Sequence, residues 1–336
     1  EAYASRFPAT PSGAYDAEIA WTDSVVGGLL DSLAADGRLA KTLVVALVVC
    51  LTPVVVATAG TRAGNARAPQ PGPPQHGAQF PAIHDDGGEC TIAVLTGRAT
   101  RDGRPILWKN RDAYAGERAD QEVVYLGDGA IPALALVNAG ETRKAWIGVN
   151  ERGFAVLNAV SYNLPDSVTG GVSNGVLMRE ALQTCITVAD FESLLRRSNT
   201  QGRGSPANFA AIDAAGGASI FEAGSRTYHR IDVTDPAVAP DGYLVRTNFS
   251  LSADTSLARS SFGKFRYHRC ERLVAERVAA GGLEVQDLLQ HIARDIHSAN
   301  SDPYPLPYDG APPGDHCGDV EEPESAVVAV ELVLSR

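Results

Sequence analysis

"GGECTIAVLTGRATRDGRPILWKNRD" (residues 87–112) places a cysteine at the head of an apolar run, then a turn, then a second run that ends in Asn110-Arg111-Asp112. The stretches "CTIAVLTGRA" and "PILWKNRD" read as two strands joined through Thr100-Arg101-Asp102-Gly103, because an Asp-Gly pair between strand-like runs is a strong hairpin signal. "KAWIGV", the turn Asn150-Glu151-Arg152-Gly153 and "FAVLNAVSY" repeat that logic. "NGVLMREALQTC" and "VADFESLLRRS" then carry apolar residues at helical spacing, with Asp190 as a cap near the second start. Strands return in "ANFAAIDAAGGASIFEAG", "RTYHRIDV" and "GYLVRTNFS", and helices in "FRYHRCERLVAERVAA" and "VQDLLQHIARDIH". The order strands, helices, strands, helices predicts an α+β fold of two antiparallel sheets between helix layers, since each sheet must cover one face with its partner and the other with helices.

At 336 residues with 44% hydrophobic and 21% charged composition, the chain can bury a sizeable core. A net charge of -11 and the lack of any Lys/Arg run argue against a nucleic-acid partner and for a small molecule. Residues 1–41 form a polar extension. The nearly charge-free run 42–59, preceded by Arg38 and Lys41 and ending in Ala57-Thr58-Ala59, reads as a signal peptide or signal anchor, which makes the expected location extracytoplasmic, with membrane anchoring through 42–59 if it stays uncleaved. Residues 60–89, dominated by Gly, Pro, Ala and polar side chains, read as a linker or pro-segment, and 90–336 as the folded domain. "SAVVAVELVLSR" reads as a strand, so the domain is expected to continue past Arg336. The five cysteines show no CxxC pairing, which indicates neither a zinc cluster nor a dense disulfide framework, and no cofactor or metal is called for. Cys185 and Cys270 read as small buried hydrophobes.

A thiol attacks only as thiolate, and an ordinary cysteine near pKa 8.5 needs a base at neutral pH. None of the seven histidines sits in a recognisable Cys/His dyad. Cutting the Glu89–Cys90 bond would expose an α-amine on Cys90 itself, and an amine with a usual pKa of about 7.7 to 8.0 suits general-base work beside its own thiol. A cysteine that opens a strand after a Gly/Pro-rich segment is therefore a candidate chain terminus.

From Cys90 to Arg272 the motifs resemble, in order, the N-terminal-nucleophile (Ntn) hydrolases of the choloylglycine hydrolase, penicillin V acylase and penicillin acyltransferase type, the linear amide C-N hydrolases. "CT" followed after one hairpin by "KNRD" is similar to the nucleophile and Asn-x-Asp of that family. "VNERGFAVLNAVSYN" resembles its hairpin ending in an oxyanion-hole asparagine, "RTNF" its second asparagine strand, and "FRYHRCERL" its helix-opening arginine. The resemblance implies a four-layer αββα sandwich and an autoproteolytically activated hydrolase. It implies Cys90 as nucleophile, its freed amine as base, Asp112 orienting the amine, Asn158 and Asn248 holding the oxyanion, and Arg266 steadying the arrangement by charge. Lys109 and Asn110 join as substrate-binding residues. The bile-salt branch has arginine where this chain has Lys109, and lysine lacks that planar fork, so bile-salt chemistry is not implied.

Blander roles stand beside these. Asn110 and Asp112 also suit a strand-end turn, Asn158 a hydrogen-bonded structural amide, and Arg266 a helix face shared with Lys264, Arg269 and Arg272. Asn150 with Gly153 reads as turn chemistry, and His268 and His291 as surface or packed residues. Three functions stay open: an amidase working through a Cys90 thioester, an acyltransferase passing that acyl group to another amine, and a surface ligand-binding relative without turnover.

Overall fold

The computed structural model describes residues 44–49, 90–111, 121–164, 168–255, 263–293, 295 and 326–331. The expected hairpin forms, with β2 (Cys90–Leu95) antiparallel to β3 (Ile106–Arg111) and Gly103 in the turn at φ 77°, a left-handed value that glycine adopts without strain. With β1 (Val44–Val49), β11 (Tyr243–Arg246) and β12 (Ala326–Glu331) they make a five-stranded sheet ordered β1-β12-β3-β2-β11. The second sheet has seven strands. It contains β4 (Gln121–Leu126), β5 (Ala133–Asn138), β6 (Ile147–Asn150), β7 (Ala155–Val160), β8 (Ala207–Ile212), β9 (Ala218–Ala223) and β10 (Tyr228–Asp232), an unbroken antiparallel meander in space from β10 to β4.

Helices α1 (Asn174–Thr184) and α2 (Val188–Gln201) cover the outer face of the seven-stranded sheet, packing Leu177, Leu182, Phe191 and Leu195 on Val137, Phe154, Phe209 and Phe221. Helix α3 (Lys264–Ala279) and α4 (Asp287–Ile292), wound as a π-helix, cover the five-stranded sheet through Cys270, Val274, Leu288 and Ile292 on Leu95, Trp108 and Val245. Between the sheets lies a third core that includes Ile92, Leu136, Leu157, Ala210 and Ile220. The layers are thus helix, sheet, sheet, helix, the α+β sandwich expected from the element order. Burying each large side chain contributes about 1.5 to 3 kcal/mol, so all three interfaces hold the sandwich closed.

Several local expectations change. Helix α2 is capped by Thr187, and Asp190 returns the bond to the Thr187 main-chain N–H as the other half of a capping box. Strands β4 and β5 fall in a stretch that the sequence reading left unassigned. Val44–Val49, inside the run expected to direct export, is an edge strand beside β12, consistent with the preference of β-branched valines for extended chain. The remainder of 42–59, the linker 60–89, Cys50, Asp112 and Cys317 lie outside the described residues. Among the described residues, no helix is long and apolar enough to cross a membrane.

Candidate active site

Register decides which side chains meet at the open end of the β2–β3 hairpin. Cys90 pairs with Arg111, Thr91 with Asn110 and Ile92 with Lys109. Paired residues share a face, and successive residues alternate. Ile92 belongs to the core between the sheets, so Cys90, Lys109 and Arg111 face the second sheet. Thr91 and Asn110 share the opposite face with Ala93 and Trp108, under α3. Asn110 is therefore one residue out of phase with the substrate-binding role expected of it. Its Oδ1 is buried without a hydrogen-bond partner among the described residues.

The Cys90 main-chain nitrogen donates to Asn248 Oδ1 at 2.7 Å. Arg266 Nη2 donates to the same oxygen at 2.9 Å, while its Nη1 donates to Thr91 Oγ1 at 3.0 Å. The guanidinium thus reaches β2 directly and through Asn248, and it is 0% exposed. Its approach depends on Gly263, whose carbonyl accepts from Thr247 Oγ1 at 3.0 Å and whose φ is 88°. A Cβ there would meet Arg266 Nη2 at 2.6 Å, so only glycine lets α3 start this close to the Asn248 strand. Of the four arginines on α3, Arg269 pairs with Asp295 and Arg272 and Arg277 lie at the surface, which leaves Arg266 as the one at the site.

Asn248 differs from the role the resemblance implied. Its Nδ2 donates to the Val160 carbonyl at 3.0 Å, and its oxygen is turned to the Cys90 nitrogen. In this arrangement it holds the future amine instead of offering a donor to an oxyanion. Asn158 is likewise engaged: Lys109 Nζ donates to its main-chain carbonyl at 2.7 Å, to its Oδ1 at 3.0 Å and to the Trp146 carbonyl at 3.3 Å. The β6–β7 ladder ends at Ile147 and Leu157, so Trp146 and Asn158 carry carbonyls that the ladder no longer serves. Lys109 fills that gap. It is a cross-sheet tie, and a buried ammonium needs such oxygens.

A polar cluster that the sequence did not single out pins the strand bearing Asn248. Arg246, two residues earlier, donates through Nε to Glu222 Oε1 at 2.7 Å. The same carboxylate accepts from the main-chain nitrogens of Leu251 at 3.0 Å and Ser252 at 2.7 Å. Glu222 therefore grips both sides of Asn248. Burial alone would raise its carboxyl pKa, but Arg246 and the Ser252 contacts outweigh burial and hold it below the usual range. Asn208, opposite Glu222 on β8, donates through Nδ2 to the carbonyls of Thr247 at 3.0 Å and Phe249 at 2.9 Å. A charged residue in the otherwise apolar strand "ASIFEAG" was the only trace of this in the sequence.

Arg111 was also passed over. Its Nη2 donates to Asn138 Oδ1 at 2.7 Å, and its guanidinium carbon lies 4.9 Å from the Trp146 ring centre. Trp146 Nε1 donates to the same Asn138 oxygen at 2.9 Å. Asn150, by contrast, is turn chemistry as expected, its Oδ1 accepting from Arg152 N and Phe154 N and its Nδ2 reaching back to α1. Among the described residues, no cluster of three or more His, Cys, Asp or Glu could hold a metal.

Helix layers outside two antiparallel sheets, with an inner strand that opens on a candidate nucleophile, form the frame of the N-terminal-nucleophile hydrolases of linear amides. Within that class the chain belongs to the acyl-coenzyme A:6-aminopenicillanic acid acyl-transferase family, whose model matches residues 99–299. Cys90 lies just ahead of the matched residues. No curated protein matches the chain in sequence. Among solved structures it is similar to a Caenorhabditis elegans N-acylethanolamine-hydrolyzing acid amidase ortholog, at 15% identity over 56% of this chain and 79% of that one, TM-score 0.40. It is also similar to a mutant conjugated bile acid hydrolase from Clostridium perfringens, at 12% identity over 65% and 82%, TM-score 0.41. A third neighbour is penicillin V acylase from Agrobacterium tumefaciens, at 16% identity over 56% and 66%, TM-score 0.37.

Proposed function

We propose that the chain is an exported cysteine amidase that cleaves a linear amide of a small acyl-amide, with Cys90 as the first residue of the active form. The observation that carries this reading is the hold on the Cys90 nitrogen by Asn248, itself bound by Arg266, on the residue that also bears the thiol. Once the Glu89–Cys90 bond is cut, that nitrogen is an α-amine one residue-length from Sγ and can take the thiol proton. Sγ attacks the amide carbonyl, the amine passes the proton to the departing nitrogen, and an acyl thioester remains on Cys90. Water then attacks the thioester, releasing the carboxylic acid and returning the proton to sulfur.

The family name favours a second reading, in which another amine, not water, takes the acyl group. Export rests on the apolar run 42–59, whose competing role is the β1 edge strand. Fractionation of the producing cells decides between the two.

The test is intact-mass analysis of purified protein together with turnover of an acyl-amide panel, with and without an added acceptor amine. Protein beginning at Cys90 that releases free acid is the expected result, and new amide in the presence of acceptor would select the transferase. Cys90→Ala should keep the preceding segment attached and show no turnover. Wild-type protein that is active with Glu89 still attached would overturn the reading.

A further inference from the structure

We infer that Asn163 is a positioning residue for the Cys90 amine: together with Ser161 it clasps Ser250 and so holds the Asn248 amide against the Cys90 nitrogen. The inference rests on the amidase reading above, in which that nitrogen becomes the base.

Asn248 stands just past the support of its sheet. Strand β11 and its pairing with β2 both end at Arg246, so residues 247–250 run on beyond the ladder. What holds them is the segment that follows β7. The Tyr162 main-chain nitrogen donates to the Asn248 carbonyl at 3.0 Å, and the Val160 carbonyl accepts from Asn248 Nδ2. Asn163 then does with a side chain what a neighbouring strand does with its main chain. Its Oδ1 accepts from the Ser250 nitrogen at 2.7 Å, and its Nδ2 donates to the Ser250 carbonyl at 2.9 Å. Ser161 Oγ lies 2.8 Å from Ser250 Oγ and 3.1 Å from Asn163 Oδ1, so its one hydroxyl proton serves the clasp either way. The Ser250 hydroxyl in turn donates to Asn208 Oδ1, whose Nδ2 already holds Thr247 and Phe249. Asn163, Ser161, Ser250 and Asn208 are all buried. The β7 side of the clasp is the anchored one, since Val160 pairs with Ala207 and the Ser161 nitrogen donates to the Pro206 carbonyl at 3.0 Å. The position of a laddered strand is thereby passed to an unladdered one.

Two groups set the direction of the Asn248 amide. Arg266 can only donate and takes Oδ1, while the Val160 carbonyl can only accept and takes Nδ2. Opening the clasp lets the Val160 side drift, and the amide loses one of its two anchors. An oxygen that accepts from an ammonium favours the charged form, so loosening that bond lowers the pKa of the amine. A displaced amine also takes the thiol proton less well.

The experiment compares Asn163→Ala, Ser161→Ala and Ser161→Thr with the wild type, each shown by mass to begin at Cys90. Turnover of the best substrate of the acyl-amide panel is followed against pH. The α-amine is titrated separately through the NMR shift of isotope-labelled cysteine nitrogen, a signal that needs no substrate. In Asn163→Ala kcat should fall by about 10- to 100-fold with KM little changed, and the ascending limb and the amine titration should both move to lower pH by about half to one unit. Ser161→Ala should show the same shift at smaller size, and Ser161→Thr, which keeps the hydroxyl, should restore it. Should Asn163→Ala fail to fold or to be processed, the Ser161 pair carries the test. A clasp that matters only for folding lowers the yield of folded protein and leaves limb and amine titration in their wild-type places, and that result overturns the inference with the amidase reading intact. If the amine titration moves as expected while even the wild type turns over no acyl-amide, the inference stands and the amidase reading falls. Wild-type protein that keeps Glu89 has no amine to position and overturns both.

Discussion

The space between the sheets has two ends built from opposite materials. At one end Leu107 and Val94 face Val149, Ala155, Ile212 and Ala218, all apolar. At the other, Cys90, Lys109, Arg111 and Arg246 meet the row that runs through Asn138, Asn208 and Glu222. The dry end asks only for volume and is satisfied by any well-packed aliphatic side chain. The polar end depends on the pairing of its charged groups, Lys109 with the Asn158 oxygens, Arg111 with Asn138 and Arg246 with Glu222, since a buried polar group left unpaired costs about 1 to 3 kcal/mol, and a charge more. Damage to the dry end should therefore lower stability and spare chemistry. Damage to the polar end should couple the two.

The sharpest way to break that contrast is Glu222→Ala. It leaves Arg246 as an uncompensated buried charge and frees the main-chain nitrogens of Leu251 and Ser252, for an expected loss of about 3 to 5 kcal/mol by chemical denaturation. The pH dependence has a defined sign. The folded carboxyl is held below its usual value, so its contribution is fully present above the unfolded value near about 4.3 and is lost as pH falls through the folded value. The wild-type advantage over Glu222→Gln should shrink on acidification below that point. An advantage that is constant across the acid range would mean that the ion pair does not set stability.

Next in size is Asn248, where the two ends differ in chemistry and not only in stability. As holder of the Cys90 amine, its removal in Asn248→Ala should lower turnover by about 10²- to 10³-fold, within the range for loss of a positioned proton-transfer group. Asn248→Asp separates this role from that of an oxyanion donor. A carboxylate beside the amine favours the ammonium form and raises its pKa, so the ascending limb of the pH–rate profile should move to higher pH. An oxyanion role predicts a loss of turnover with the limb in place.

How far the sequence reached follows the same division. The hairpin, the helix pairs and the order of layers were legible because apolar periodicity and Asp-Gly or Asn-x-x-Gly turns are local signals. Cys90, Asn248 and Arg266 were found through motif order, and the structure brings the three together. Asn110 was misplaced by one residue, which in a strand is the whole difference between facing Cys90 and facing α3. Counting back from the pairing of Cys90 with Arg111 keeps Lys109 on the Cys90 face and puts Arg111 there in place of Asn110. The clamp of Glu222, Arg246 and Asn208 was hidden because its members are brought together only by the stacking of the two sheets. β4 was missed for a different reason: as an edge strand half open to solvent, its burial alternates too irregularly to leave a period in the sequence.

The smallest expected effect is the one that tests whether the two ends are separable at all. Ile220 lies on β9 in the inter-sheet core, fully buried, two residues before Glu222 on the same strand and face. Ile220→Val deletes one methylene from a packed site and should cost about 0.5 to 1.5 kcal/mol, read as a shift in denaturation midpoint with an unchanged slope. If the dry end supplies only volume, kcat and KM for the same substrate should both stay at wild-type values. A drop in kcat would mean that a missing methylene shifts β9 enough to move the Glu222 clamp, and through it Asn248. That result would make the apolar rows part of the site's alignment, so that stability and turnover could no longer be assigned to separate ends of the sandwich.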